Sequence, residues 1–522
     1  MQPIATDSSS FAEIRTKGCI YVDKTAYFHE LITNPSRSKF FIARPRRFGK
    51  SLMISTFKAI FEGRKDLFKG LAIEKTDYDW QVHPVLHFNL GFCANENYEE
   101  FVRCFALEVE RALTVVGITY NSEQPPSANF GLAIDQLAAR GANPVILIDE
   151  YDDPVAATLK DFATAEKVRD WLAPFYRQMK DRSEKIRFLM ITGVSKFTKM
   201  SVFSALSNLT DISFNDEYAA MLGFTEEELD KYFGEHMQAH RQKMKLDETA
   251  YRAELKRMYD GYRFGMLSPE RVYNPVSVSM TLVDCRPLFL TYWTSTGKSS
   301  FLMNFLKRND MLALDFDDLD PVSVDEFDVS DLRNLKPVAM LFQTGYLTIS
   351  NFNPYSQMYS LVIPNAEVRK DMGLLLASVA GNQDTAWAAH IGGYLLDYNF
   401  GKFFAGLKAL YAAATYGSTE SSVHESSYSR CLLFLLYGQG FRVQPEVQQA
   451  SGRADIVADH PCGTYIFELK VDRPAAIALS QAEARKYAEP YRAANKPIWL
   501  IGLSFDGQTR CLSDSAYQEV KD

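Results

Sequence analysis

The chain has 522 residues, 47% apolar and 23% charged, with 28 Gly, 21 Pro and a formal charge of -8 from 57 Lys and Arg against 65 Asp and Glu. At roughly 150 residues per domain this makes about three or four folded units, which excludes a disulfide-stapled miniprotein and a low-complexity or collagen-like chain. The acidic balance argues against a protein that coats nucleic acid through a basic surface, but leaves room for a locally basic groove. The first residues carry no basic start followed by an apolar core, and later apolar runs fall far short of the roughly 18 residues of a membrane helix. Seven Cys, never spaced C-x-x-C, make neither a disulfide framework nor a zinc ribbon credible. A cytoplasmic protein with no membrane partner is the expectation.

In chain order, Ser10 with Glu13 three residues on reads as a capping box before a short helix. An extended piece at 19–22 and a helix over 24–33 follow. The apolar run 39–43 then meets Arg44-Pro45-Arg46-Arg47-Phe48-Gly49-Lys50-Ser51, and beyond it Leu52, Phe57, Ile60 and Phe61 recur at helical spacing. This is strand, loop, helix. Residues 84–90, 144–148 and 187–191 read as further strands and 98–116 as an amphipathic helix. Strands alternating with helices predict an α/β domain with a parallel sheet covered on both faces. Past residue 220 the pattern turns helical, punctuated by YDGYRFG (259–265) and VYNPVSV (272–278). The acidic stretch 310–331 reads as a solvated connector. After a Ser- and Thr-rich break at 415–427, a helix and strand-like pieces predict a small separate α/β domain.

The segment Gly49-Lys50-Ser51 supplies the core of a phosphate loop. Backbone N–H groups at a helix N-terminus surround phosphate oxygens, a Lys reaches the outer phosphates and a hydroxyl holds magnesium. The usual first Gly is replaced by Arg44. A second Gly-Lys-Ser at 297–299 shows that the tripeptide alone says little, but only the first lies between an apolar strand and an amphipathic helix. Downstream, the strand ending in Asp149-Glu150 offers an Asp for magnesium and a Glu to polarise the attacking water. The nucleotide-contacting set is then Arg46, Arg47, Phe48, Gly49, Lys50, Ser51 and Leu52 with Asp149 and Thr192. Ser51 and Asp149 serve the metal and Glu150 the chemistry. Thr192 or Ser195 would sense the terminal phosphate; a plain strand-end turn is the alternative.

Near the C-terminus, Gly452 to Val457, a turn at 460–463 and Tyr465 to Val471 form a β-hairpin by alternation and turn chemistry. It sets Asp455 almost opposite Glu468, with Lys470 on the same face. Two carboxylates suit Mg²⁺ beside a scissile phosphate, and a Lys can orient the attacking water. Glu425 on the preceding helix is a candidate third acid, and Gln481 and Tyr487 offer polar contacts to a bound strand. A cross-strand salt bridge is the bland alternative.

These segments, with FAEIRTKGCIYVDKT, VILIDEYDDP, ITGVSKF, LFQTGYLTI and IPNAEV, resemble bacterial proteins that have an N-terminal AAA-ATPase-like domain and a C-terminal PD-(D/E)XK nuclease-superfamily domain. In that family the phosphate loop typically reads RPRRFGKS, so Arg44 is a family trait. The resemblance implies a P-loop NTPase-like sheet domain over 1–220, a helical, winged-helix-like middle region over 221–410 and a PD-(D/E)XK nuclease-like domain over 411–522. It makes ATP and Mg²⁺ the cofactors, Lys50 and Ser51 the phosphate and magnesium contacts, and Asp455, Glu468 and Lys470 the nuclease triad. Ala454 stands where the superfamily name has Pro. Tyr21 and Asp23 would contact the base or simply pack beneath the first helix, and Arg263 would reach the nucleotide from the middle region. The function implied is an ATP-regulated, Mg²⁺-dependent nuclease acting on DNA or RNA. The alternative is a nucleotide-dependent switch, in which ATP drives homo-oligomer assembly and the nuclease-like domain binds nucleic acid or a partner without cleaving. A third reading keeps the nuclease active on a degenerate ATPase-like scaffold.

Overall fold

A computed structural model of the protein describes residues 1–196, 208–293, 305–306, 316, 318–327, 336–414, 425–449 and 452–521. The second Gly-Lys-Ser lies outside the described residues, as do 415–424 and the side chain of Glu425. The chain divides into two compact units, Met1–Tyr292 with Phe316–Asn365, and Trp293–Asp315 with Ala366–Asp522.

In the first unit, β1 (Lys39–Ala43), β2 (Val85–Asn89), β3 (Val145–Asp149), β4 (Phe188–Gly193) and β5 (Thr210–Asp211) form a parallel sheet in the order β2-β3-β4-β1-β5. The three central strands are almost wholly apolar and buried, as a sheet covered on both faces requires. The chain runs outward from β1 to β2, returns through β3 and β4, then passes to β5 on the far side of β1. Strand order therefore reverses at β1, and the carboxyl ends of β1, β3 and β4 meet at this switch point, where open α/β sheets bind ligands. The helix Lys50–Phe61 buries Met53, Ile54, Phe57, Ile60 and Phe61. The expected capping box at Ser10 is half made. Ser10 accepts from the Glu13 N–H, but the Glu13 carboxylate takes the Ser8 hydroxyl and the Lys17 ammonium instead of turning back to the cap.

The rest of this unit is mainly helical, with Glu226–Met244, Glu248–Tyr259 and Pro275–Asp284. The first begins in a complete capping box of Thr225 and Glu228. A small antiparallel sheet of β6 (Val322–Ser323), β7 (Thr348–Asn353) and β8 (Met358–Val362) accompanies the helix Pro337–Gln343. Part of the acidic stretch is thus structural: Val322 pairs with Tyr359, and buried Phe327 packs on Phe342 and Tyr359. Among its described residues, apolar Val322 and Phe327 carry the packing.

In the second unit, four helices, Ala366–Ala380, Thr385–Leu396, Phe400–Ala413 and Glu425–Gly438, accompany a mixed sheet. It contains β9 (Arg442–Gln449), β10 (Gly452–His460), β11 (Gly463–Val471), β12 (Ile498–Phe505) and β13 (Leu512–Glu519), in the order β13-β12-β11-β10-β9. Only β11 and β12 are parallel, and the helix Ala475–Ala484 makes the crossover between them. That helix lies tightly on β12 through Ala475, Ala478 and Gly502, where an added methyl would overlap the Ala475 carbonyl.

Two predictions concern stability. Burial, reinforced by Lys58 and Arg111, pushes the His87 imidazole down to about 4. Its Nε2 is buried with no hydrogen-bond partner among the described residues. The unfolded chain then binds the proton more tightly, so this contribution is present above the unfolded value near 6.5 and is lost as pH falls toward the folded one, up to about 3 kcal/mol in all. Denaturant unfolding of His87→Gln at pH 7 and pH 4.5 should show a smaller pH-dependent loss than wild type. Gly502→Ala should cost about 1–3 kcal/mol through overpacking, read as a lowered melting temperature; an unchanged melting temperature would contradict the packing described.

Candidate active sites

At the first site the sequence places a charged loop where β1 ends. Gly49 takes φ 84°, the left-handed conformation that glycine adopts without steric cost, and opens the helix that begins at Lys50. Arg47 at φ 70° and Glu150 at φ 52° also lie in this region, where residues with a Cβ are uncommon. Such conformations concentrate at ligand sites, held there by the surrounding structure.

Lys50 is buried, and its Nζ donates to the Arg44 and Pro45 carbonyls at 2.9 Å each. Burial pulls its pKa down, while Asp149, Asp152, Glu150 and Asp153 oppose that pull. The Asp149 carboxylate accepts from the Glu150 N–H at 3.0 Å. Burial raises Asp149, with the Ser51 hydroxyl the first opposing influence, and raises Glu150, with Asp149 adding to the effect. Asp153 is pushed up to about 7 by burial and by Asp152 and Glu150. Arg46 stands half exposed with its Nη2 3.8 Å from Asp153. The loop and the acidic strand are thus one electrostatic unit, as Gly49-Lys50-Ser51 and Asp149-Glu150 predict. The Glu150 side chain lies over Gly91, where a methyl would overlap its Oε2.

Thr192 ends β4, in register with Ile42 of β1. It is fully buried, and its Oγ1 has no hydrogen-bond partner among the described residues. Ser195 instead gives its hydroxyl to Asp152 at 2.5 Å, which leaves Thr192 as the hydroxyl of the pair with capacity for a ligand. Leu52 is half-buried on the first turn of the phosphate-loop helix.

Other loop residues have structural partners. The Arg44 guanidinium is buried over the Phe264 ring at 4.2 Å and donates to the Ser213 and Tyr218 carbonyls, and burial drops it to about 9. Where the common pattern has glycine, this chain uses a side chain to fasten the loop base to other parts of the unit. Phe48 buries its ring against Tyr262 and Phe264 at 4.7 and 5.1 Å, so its backbone N–H is what it can offer a phosphate. Arg47 donates to the Tyr292 carbonyl at 2.6 Å. The YDGYRFG segment therefore supports the loop from below: the Tyr262 and Phe264 rings hold Phe48, while Arg263 donates to the Ser350 and Met266 carbonyls. Tyr21 packs edge-on against Phe11 at 4.9 Å, and Asp23 accepts from Thr25 and from the Ala72 N–H. Packing accounts for both.

At the second site, β10 and β11 pair from His460 and Gly463 as far as Ile456 and Phe467. One step beyond the last paired residues, the Asp455 carboxylate accepts from the Leu469 N–H at 2.7 Å, next to Glu468 on β11. Glu468 is 1% exposed. Its Oε1 accepts from Lys470 Nζ at 2.8 Å and from Gln481 Nε2, while its Oε2 is buried with no hydrogen-bond partner among the described residues. Burial raises the Glu468 pKa, Lys470 opposes, and Asp455 raises it further. Tyr487, just beyond the helix that carries Gln481, donates to the Arg453 carbonyl at 2.7 Å. The structure thus brings together Asp455, Glu468, Lys470 and Gln481. No cluster of three or more His, Cys, Asp or Glu able to hold a metal occurs among the described residues.

No helix among the described residues is long and apolar enough to cross a membrane. Residues 3–203 match the family described as predicted AAA-ATPase, and residues 423–515 match the PD-(D/E)XK nuclease superfamily. Over 519 residues the chain is 33% identical to the protein named "Uncharacterized protein in vnfD 5'region" of Azotobacter chroococcum mcd 1, with 96% of each chain covered. No solved structure gives a significant match. With the parallel sheet and its phosphate loop in the first unit and the β-hairpin carrying Asp455, Glu468 and Lys470 in the second, the chain belongs to the family that joins a predicted AAA-ATPase domain to a C-terminal PD-(D/E)XK nuclease-superfamily domain.

Proposed function

We propose that the protein binds and hydrolyses ATP at the first site and cleaves nucleic-acid phosphodiesters at the second, with nucleotide state regulating cleavage. The three regions 1–220, 221–410 and 411–522 carry the ATPase, connecting and nuclease parts. The observation that supports this reading most is that each site holds a buried oxygen with no partner among the described residues, Thr192 Oγ1 in the first and Glu468 Oε2 in the second. Buried polar atoms are nearly always paired, so an unpaired one inside a charged cluster fits a site built for a ligand.

In the first site Ser51 and Asp149 would hold Mg²⁺, and Asp455 and Glu468 would hold it in the second; when bound it supplies charge neutralisation at phosphate oxygens. The protein's own residues do the rest. Lys50 exchanges the Arg44 and Pro45 carbonyls for phosphate oxygens, Glu150 accepts a proton from the attacking water, and the Thr192 hydroxyl donates to the terminal phosphate. In the second site Lys470 orients water and Gln481 keeps the Glu468 carboxylate in place. Glu425, whose side chain lies outside the described residues, is the candidate third acid of the second site.

One observation favours the non-cleaving alternative. Glu468 and Asp455 already accept from Lys470, Gln481 and the Leu469 N–H, as a structural salt bridge would.

Two experiments decide. By calorimetry, Lys50→Ala should weaken Mg-ATP binding by roughly 30–100-fold, the worth of about 2–3 kcal/mol from a charged hydrogen bond; unchanged affinity would remove the phosphate loop from the account. Single- and double-stranded DNA and RNA should then be incubated with wild type, Glu468→Ala and Lys50→Ala, with and without Mg²⁺ and ATP. Cleavage should require Mg²⁺, fall at least about 100-fold in Glu468→Ala, and lose its response to ATP in Lys50→Ala. Absence of cutting in every condition would leave the binding module as the reading.

A further inference from the structure

Around the first site, the segment after β4 is fastened on both sides. Toward β1, the Gly193 carbonyl accepts from the Arg44 N–H at 3.1 Å, at the base of the phosphate loop. Toward β3, the Thr192 carbonyl accepts from the Tyr151 N–H at 3.1 Å. The Asp152 carboxylate accepts from the Val194 N–H at 3.1 Å, the Ser195 N–H at 2.7 Å and the Ser195 hydroxyl at 2.5 Å. The Tyr151 hydroxyl donates to the Ser195 carbonyl at 2.9 Å. Asp152, Ser195 and Tyr151 are at most 2% exposed. Gly193 makes this approach possible, because a methyl there would overlap both Asp152 Oδ1 and the Tyr151 ring.

These bonds join two short segments with different chemical tasks. Asp149 and Glu150 stand on one, and on the other stands Thr192 with its unpartnered hydroxyl. Without the clamp, the two would be separate turns at the ends of neighbouring strands, each free to relax. A carboxylate accepting two backbone N–H groups and a hydroxyl is among the stronger hydrogen-bonded arrangements available to a protein. We infer that Asp152, with Tyr151 and Ser195, is a positioning device that locks the Thr192 turn to the Asp149-Glu150 turn, so that the residue that polarises water and the hydroxyl that meets the terminal phosphate hold one fixed geometry. Asp152 acts through its neighbours and touches neither nucleotide nor water. The inference rests on the ATPase reading above and adds to it residues outside the phosphate loop and the acidic pair.

A geometric lock of this kind governs turnover more than binding, since misplacing a reacting group by about 1 Å costs on the order of 100-fold in rate. The test uses the full chain and compares wild type, Asp152→Asn and the double variant Tyr151→Phe with Ser195→Ala. The double variant loosens the clamp without removing a charge near Lys50. Steady-state ATP hydrolysis gives kcat, and titration with a non-hydrolysable ATP analogue and Mg²⁺ gives Kd. The expected result is a kcat at least about 10-fold lower in both variants, with Kd within about 3-fold of wild type. A merely structural role would move Kd together with kcat, and that result overturns the inference, as does wild-type kcat in the double variant. Wild type that turns over no ATP overturns the ATPase reading and the inference with it, whereas an active wild type with equally active variants overturns the inference alone.

Discussion

The first unit depends on holding a buried lysine among four carboxylates, Asp149 and Asp152 buried and Glu150 and Asp153 half-buried, at the carboxyl ends of its parallel strands. Lys50 is buried among Asp149, Glu150, Asp152 and Asp153, and isolated charges in such a place would cost several kcal/mol each. The arrangement holds because the lysine and three of the carboxylates have specific partners. Lys50 has two loop carbonyls, Asp149 the Glu150 N–H, Asp152 the segment after β4, and Asp153 the neighbouring Arg46. The loop's unusual opening follows from the same constraint. Arg44 in place of glycine anchors the loop base to the Ser213 and Tyr218 carbonyls and Phe264, and Phe48 anchors its middle to the YDGYRFG aromatics. The result is a site whose walls are fixed and whose ammonium group is parked on carbonyls that a phosphate can replace.

The second unit solves a smaller version of this problem. Glu468 lies almost wholly buried on β11, and its charge is met by Lys470 two residues along and by Gln481 from the crossover helix. That helix reaches Glu468 because Gly502 and the alanines at 475 and 478 let it lie close on β12. Packing of small residues therefore sets the geometry of the polar site.

Much of this is legible in the sequence because the informative signals are local. Strand, loop and helix around Lys50, the apolar strand ending in Asp149-Glu150, and a hairpin whose turn near 461 fixes the partner of Asp455 all follow from periodicity and turn chemistry. What stays hidden depends on contacts distant in sequence. Nothing local marks Arg44 as an anchor or Asp152 as the acceptor for residues more than forty positions away. The acidic stretch hides its packing for a related reason: among its described residues Asp318, Asp320 and Asp325 are exposed, while Val322 and Phe327 are buried and packed. The two-residue strand β5 is too short for any periodic signal.

The central claim is that this charged pocket is a nucleotide site in which Lys50 is held in reserve. A structure determined with Mg²⁺ and a non-hydrolysable ATP analogue tests it directly. The account predicts that Lys50 Nζ leaves the Arg44 and Pro45 carbonyls for phosphate oxygens, with the metal beside Ser51 and Asp149. Lys50 still bonded to both carbonyls at saturating analogue, with no phosphate in the loop, would contradict it.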